Sequence, residues 1–193
     1  WIGINEEETY GPASLLKVAI MIAYYKSAEA GTINLNNKLI YKSVGRAPFE
    51  TPSDLIENQS YSIDELIYHV IVKSDNGAKD LLLANIDTNV LNSVYTSLGM
   101  EHPVETPGYK ISAKSYALFL RILYNSTFLN RQFSEKALEF AKKIGEMDSE
   151  LAIDATHFHR SGGDLRRSCR IRSNHSNARR HDRRAMRNVI LVT

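Results

Sequence analysis

Cysteine and long apolar runs are what this sequence of 193 residues most lacks. Its one cysteine, Cys169, excludes an internal disulfide framework and a metal site built from cysteine thiolates. The longest run of wholly apolar side chains, Val18–Ala23, has six residues, whereas a bilayer span needs roughly 20, so no membrane span is predicted. The histidines lack the carboxylate or cysteine spacing of a metal centre. We therefore predict neither a metal nor a cofactor.

The net charge of +2 conceals two regions of opposite charge. Residues 1–159 hold 14 basic and 20 acidic side chains, a net charge of −6. Residues 160–193 hold ten arginines, no lysine and two aspartates, a net charge of +8. We predict one domain over 1–159 and a separate Arg-rich segment over 160–193 that is either aberrant, as from translation out of frame, or poorly ordered. Clustered arginine also suits a nucleic-acid-binding arm, but the acidic body argues against nucleic acid as the main partner, so none is expected.

Most segments between the two chain ends have helical patterns. Leu15–Ala30 is apolar on nearly every side apart from Lys17, which is typical of a helix inside a protein. Three further helices are predicted to begin at the capping box Ser62-Ile63-Asp64-Glu65 and at the caps Ser112 and Ser134, and another covers Ala78–Ala84.

Strand patterns lie near the two ends of the chain, at Trp1–Asn5 and Asn188–Thr193. An isolated strand needs a neighbour, so we expect these two to pair. Arg166–Arg187 has few apolar residues, and we expect no central strand from it. The pattern predicts an α+β fold, with a helical subdomain packed beside a small antiparallel sheet.

Ser14-Leu15-Leu16-Lys17 places a serine at the start of the most apolar helix and a lysine one turn further on, on the same face. A serine hydroxyl is a weak nucleophile unless a neighbour takes its proton, and a desolvated lysine can serve as that base. The alternative is that Ser14 caps the helix and Lys17 extends to the surface. Lys17 is the only polar residue in Leu15–Ala23, so its charge needs a reason to be there.

A second polar cluster, Ser74-Asp75-Asn76, interrupts the helical region sixty residues later. One interpretation is a turn between two helices, since all three residue types favour turns. The functional interpretation gives Ser74 a proton-relay role toward a leaving nitrogen. Asn76 then hydrogen-bonds a substrate amide, and Asp75 braces the loop.

Gly11-Pro12-Ala13-Ser14-Leu15-Leu16-Lys17 followed by Ser74-Asp75-Asn76 resembles the class A serine β-lactamases and related penicillin-binding serine hydrolases, over about residues 1–144. The resemblance implies a β-lactamase/transpeptidase-like fold, and because the chain opens on Trp1 we expect it to be truncated at its N-terminus. It also implies acyl transfer, in which Ser14 attacks a β-lactam amide, Lys17 helps to remove its proton and Ser74 protonates the leaving nitrogen.

The implied partner is a small β-lactam or a peptidoglycan peptide, and the implied role is β-lactam breakdown and antibiotic resistance. We expect a monomer that is periplasmic or secreted. Two alternatives stay open: a penicillin-binding D-alanyl-D-alanine peptidase, and a relative that binds without catalysis.

Two family features are not clearly present. The family's K-[ST]-G motif, which binds the substrate carboxylate, has its nearest counterpart in Arg160-Ser161-Gly162, where arginine would bind the carboxylate. The family's deacylating glutamate would lie in the loop Gly99–Ile111, whose carboxylates are Glu101 and Glu105. Glu105 is the candidate for that role, and if neither residue serves, Ser14 is acylated but released slowly.

Overall fold

Helix α1, Lys17–Glu29, lies at the centre of the computed structural model, which describes residues 2–43, 52–103, 106–146, 151–154, 168–173 and 190–192. Every residue of α1 from Lys17 to Tyr25 is buried, as its uniformly apolar sequence predicts. The Tyr24 hydroxyl donates a hydrogen bond of 2.8 Å to the Leu82 carbonyl. This bond ties α1 to the helix that follows Ser74-Asp75.

Five further helices surround α1 in the part of the chain that the structure describes: α2, Ile63–Val72; α3, Asn76–Leu83; α4, Thr88–Ser97; α5, Ala113–Tyr124; and α6, Arg131–Glu146. The capping box before α2 is present, since Ser62 Oγ accepts from Glu65 N at 3.2 Å and Glu65 Oε2 accepts from Ser62 N at 2.7 Å. Ser112 caps α5 by accepting from Ser115 N at 3.1 Å. These two predicted helix starts are confirmed.

Helix α6 begins earlier than predicted, and Ser134 is not its cap. Asn130 Oδ1 accepts from Phe133 N at 3.0 Å, so the cap lies four residues before Ser134. Ser134 is wholly buried in the first turn, and its hydroxyl donates to the Leu129 carbonyl at 3.4 Å. Asparagine and serine cap helices equally well, so the position of the cap was decided by which side chain the packing buries.

Helix α4 was not predicted. Its sequence is mostly polar, and only three of its side chains, Leu91, Val94 and Tyr95, are buried, so its apolar pattern is too weak to indicate a helix. Asp87 caps it by accepting from Asn89 N at 2.8 Å.

The largest sheet is four-stranded and antiparallel: β1, Ile2–Ile4; β8, Ile190–Val192; β7, Ser168–Ser173; and β6, Leu151–Asp154, in that spatial order. Ile2 pairs with Val192, which confirms the predicted pairing of the two end strands. The expectation that Arg166–Arg187 supplies no central strand is wrong, because β7 lies between β8 and β6. Antiparallel sheets often have one solvated face, so a strand such as Ser168–Ser173 needs apolar residues only at alternate positions.

Two short ladders fix the segments that precede Ser14 and α2. Strand β2, Thr9–Tyr10, pairs with β5, Ile111–Ser112, and so holds the residues before Ser14 against the start of α5. Strand β3, Lys38–Ile40, pairs with β4, Ser60–Ser62, which leads into α2. Among the described helices, none has the length and apolar character needed to cross a bilayer.

Candidate active site

Ser14 lies in a 3₁₀ helix, Ala13–Leu16, that leads directly into α1. Neither helix start carries a side-chain capping hydrogen bond, so the interpretation of Ser14 as a cap is wrong. The preceding residue, Ala13, has a φ of +43°, a left-handed conformation that costs a residue with a side chain about 1–3 kcal/mol. The backbone is therefore strained at the residue that delivers the half-buried Ser14 side chain.

Lys17 is the first residue of α1 and is only 5% exposed. Its Nζ donates to the Ser74 carbonyl at 2.5 Å and to Ser74 Oγ at 3.0 Å. The alternative in which Lys17 extends to the surface is therefore wrong. The helix directs this side chain inward, toward the loop between α2 and α3.

Ser74 links Lys17 to Ser14. Its hydroxyl donates to Ser14 Oγ at 3.1 Å while accepting from Lys17 Nζ at 3.0 Å. The three side chains thus form a continuous hydrogen-bonded chain between residues 60 positions apart in the sequence. A proton can move along such a chain in either direction.

The loop that presents Ser74 has an unusual backbone. Ser74 has a φ of +54°, in the left-handed region, and Asn76 follows as the half-buried first residue of α3. The structure therefore brings Ser14, Lys17 and Ser74 together and places Asn76 two residues from Ser74.

Asp75 braces this loop from behind, as the sequence predicts for it. It is 7% exposed, and its carboxylate caps α3 by accepting from Ala78 N at 3.0 Å. The Ser53 hydroxyl lies 2.8 Å from both carboxylate oxygens, and Asp54 N donates to Oδ2 at 2.8 Å. Ser53 and Asp54 were not predicted, because no sequence pattern relates a polar connection to a carboxylate more than twenty residues away.

His69, on α2, is connected to the same loop through its backbone. Its carbonyl accepts from Asp75 N at 3.0 Å. Its Nδ1 is buried and makes no hydrogen bond within the described structure. Burial, reinforced by the charge of Lys73, lowers the pKa of the His69 imidazole below its ordinary value of 6.5.

Four predicted positions lie outside the described residues: Arg160, Ser161, Gly162 and Glu105. Their roles in carboxylate binding and deacylation stay predictions. Glu101, the other carboxylate of the loop, is exposed. Burial raises the pKa of Tyr109, and the charge of Glu101 raises it further. Over the residues with described positions, no group of three or more His, Cys, Asp or Glu side chains is arranged to hold a metal ion.

The fold is similar to that of a beta-lactamase from Sphaerobacter thermophilus, with a TM-score of 0.65 and 21% identity over 86% of this chain and 65% of that one. An ancestral class A beta-lactamase gives a TM-score of 0.61 and 19% identity, over 74% and 60% of the two chains. A mutant of PBP-A, in an acyl-enzyme complex with penicillin G, gives 0.57 and 17%, over 72% and 56%. The chain spans less than two thirds of the length of these proteins. The predicted β-lactamase/transpeptidase-like α+β fold is confirmed.

A search of curated protein sequences gives no match to this chain. The sequence profile of the beta-lactamase enzyme family matches residues 1–152, well over half of the chain. The matched range includes Ser14, Lys17 and Ser74, the three side chains that the fold brings into one hydrogen-bonded chain. The protein belongs to the beta-lactamase enzyme family.

Proposed function

We propose that this chain is a serine acyl-transfer enzyme that opens β-lactam amides through a covalent acyl-enzyme on Ser14. The observation that carries the proposal is the hydrogen-bonded chain from Lys17 Nζ through Ser74 Oγ to Ser14 Oγ, with links of 3.0 and 3.1 Å. Nucleophilic catalysis by serine requires a base within reach and a route for the proton, and this chain of contacts supplies both.

In the proposed acylation, Ser14 Oγ attacks the lactam carbonyl carbon and its proton passes through Ser74 Oγ to Lys17 in its neutral amine form. The carbonyl π electrons move onto oxygen, where the backbone N–H of Ser14 supplies one hydrogen bond to the oxyanion. One such donor is worth roughly 3–4 kcal/mol in a typical oxyanion hole. The oxyanion electron pair then re-forms the carbonyl as the C–N bond breaks, which leaves an ester on Ser14, and the proton returns from Lys17 through Ser74 to the leaving nitrogen. Asn76, near Ser74, is suited to hydrogen-bond the substrate amide.

Release of the acyl group is where two candidate activities differ. Of the two glutamates in the loop Gly99–Ile111, Glu101 lies among the described residues, and its side chain is exposed. If Glu105 activates the hydrolytic water, the chain turns over as a β-lactamase. If it does not, the acyl-enzyme persists, and a D-alanyl-D-alanine peptidase that penicillin inhibits is the second candidate. A binding relative without catalysis is the third.

The remaining features of the proposal follow from family membership. The partner is a small β-lactam or a peptidoglycan peptide, with Arg160, Ser161 and Gly162 binding its carboxylate. Since this substrate occurs outside the cytoplasm, we place the protein in the periplasm or outside the cell. We also propose that it is a monomer.

Intact-mass analysis after incubation with benzylpenicillin tests the proposal. We expect the mass to rise by that of one penicillin, and we expect no adduct on Ser14→Ala. Ser93→Ala is the matched control, because Ser93 is exposed on α4 and its hydroxyl donates only to the nearby Val90 carbonyl at 2.7 Å. An adduct that persists in Ser14→Ala, or none on the unaltered chain, contradicts acylation at Ser14.

Turnover of a chromogenic cephalosporin separates the candidates. Repeated hydrolysis supports the β-lactamase, and a stable adduct without turnover supports the peptidase. Saturable binding of peptidoglycan fragments with no covalent product supports the binding relative.

A further inference from the structure

The segment Ser53-Asp54 contacts the residues on both sides of Ser74. On one side, the Asp54 carboxylate pairs with Lys73 Nζ at 3.1 Å. On the other side, the Ser53 hydroxyl and Asp54 N hold the Asp75 carboxylate at 2.8 Å each. A short piece of chain that precedes β4 is thus fastened across the loop that carries the central hydroxyl of the site.

Ser74 needs such support because its backbone is in a conformation that residues with side chains seldom adopt. Its φ of +54° is left-handed, a conformation that persists in a residue with a side chain only where surrounding contacts hold it in place. The same conformation directs both the carbonyl and the hydroxyl of Ser74 to Lys17 Nζ. If the loop relaxed, these contacts and the 3.1 Å link to Ser14 would lengthen together.

Ser53 is itself fixed, which makes it a suitable anchor. Its Oγ accepts from Leu55 N at 3.1 Å while its hydroxyl proton is shared between the two oxygens of Asp75. Leu55 is buried in the core. Hydrogen bonds therefore link the core residue Leu55 to Ser53, and Ser53 to Asp75, which is adjacent to Ser74 in the chain.

We propose that Ser53 is a positioning residue for acylation, which acts through Asp75 to hold Ser74 in the geometry that joins Lys17 to Ser14. The Asp54–Lys73 pair holds the other side of Ser74 in the same way. This inference rests on the proposed function. It predicts that loss of the Ser53 hydroxyl slows the chemical step more than it weakens binding of the lactam.

The test measures the rate of benzylpenicillin adduct formation over a range of penicillin concentrations, which separates non-covalent binding from the limiting acylation rate. A hydrogen bond to a charged group is worth about 1.5–3 kcal/mol, so we expect Ser53→Ala to lower the limiting rate about 10- to 100-fold. The concentration that gives half the limiting rate should change less than about threefold. Ser53→Thr keeps the hydroxyl and should acylate within about threefold of the unaltered chain, as should the control Ser93→Ala.

Asp54→Asn provides a second measurement that does not depend on Ser53→Ala folding. The Asp54 and Lys73 side chains are 59% and 34% exposed, so losing their charge pair should leave the melting temperature nearly unchanged. We expect it to lower the limiting acylation rate a few-fold with unchanged half-saturation.

The outcomes distinguish the positioning role of Ser53 from the proposed acylation at Ser14. If the unaltered chain forms no adduct, the proposed function fails, and the positioning role fails with it. If the unaltered chain is acylated and a folded Ser53→Ala acylates at its rate, the proposed function stands and the positioning role of Ser53 is wrong. If Ser53→Ala does not fold, an unchanged limiting rate in Asp54→Asn overturns the positioning role instead. A loss in Ser53→Ala that Ser53→Thr does not restore also overturns it.

Discussion

Replacing Lys17 by methionine tests the proposed proton path most directly. Methionine matches the apolar part of the lysine side chain out to Cε but has no Nζ. The variant removes the hydrogen bonds of 2.5 and 3.0 Å from Nζ to the Ser74 carbonyl and hydroxyl. It leaves Ser14, Ser74 and their 3.1 Å contact chemically intact.

Two magnitudes follow from this geometry. General-base catalysis by a positioned side chain typically contributes 10²–10⁴-fold, so we expect acylation of Lys17→Met to slow by about that factor. The two lost hydrogen bonds cost roughly 1–3 kcal/mol in total, and burial of the apolar methionine at a site 5% exposed offsets part of this. For a chain of this length about 1 kcal/mol shifts the melting temperature by roughly 2–4 °C, so the variant should remain folded at room temperature.

Lys17→Arg distinguishes a base from a fixed positive charge. Arginine stays protonated at any ordinary pH and cannot accept the proton of Ser14. If Lys17 acts as a base, both variants lose acylation. If it supplies only charge, Lys17→Arg keeps most of the rate while Lys17→Met loses it.

The assay is the time course of the benzylpenicillin adduct by intact mass, with thermal unfolding of each variant measured in parallel. Acylation of a folded Lys17→Met at a rate within about threefold of the unaltered chain would refute the reasoning.

Four further predictions concern stability. Asp75→Asn replaces a carboxylate oxygen that accepts hydrogen bonds by an amide group that donates them. It should lower the unfolding free energy by about 2–4 kcal/mol in urea titrations. A loss below about 1 kcal/mol contradicts the bracing role. Tyr24→Phe removes the bond to Leu82 and should cost about 1 kcal/mol by the same titration, with no effect on the rate of adduct formation. Asn130→Ala removes the cap of α6 and should cost about 1 kcal/mol by thermal unfolding, whereas an unchanged melting temperature would argue for another cap. Burial holds the folded-state pKa of His69 below 6.5, so the stability that the neutral imidazole contributes is present above pH 6.5 and is lost as pH falls toward the folded-state pKa. His69→Gln should therefore flatten the pH dependence of the unfolding free energy below pH 6.5. An unchanged slope there would contradict the burial argument.

Local features of the chain could be predicted where neighbouring residues decide them. The capping box at Ser62 and Glu65 forms because both partners lie within one helical turn. Ser14 and Lys17 share a face for the same reason, since three residues make about one turn. Where two local solutions compete, as at Asn130 and Ser134, the pattern is not enough, because burial in the folded chain selects between them.

The sequence by itself determined the buried character of α1, the starts of α2 and α5, and the presence of a serine and a lysine suited to nucleophilic chemistry, because these depend on periodicity and on contacts within a few residues. Only the tertiary structure decided that Lys17 turns inward, that Ser74 stands between it and Ser14, and that Ser53 holds Asp75. These contacts join segments between 22 and 60 residues apart. Their geometry depends on how α1, α2 and α3 pack around one core and on the left-handed backbone at Ser74, neither of which residues close in sequence decide.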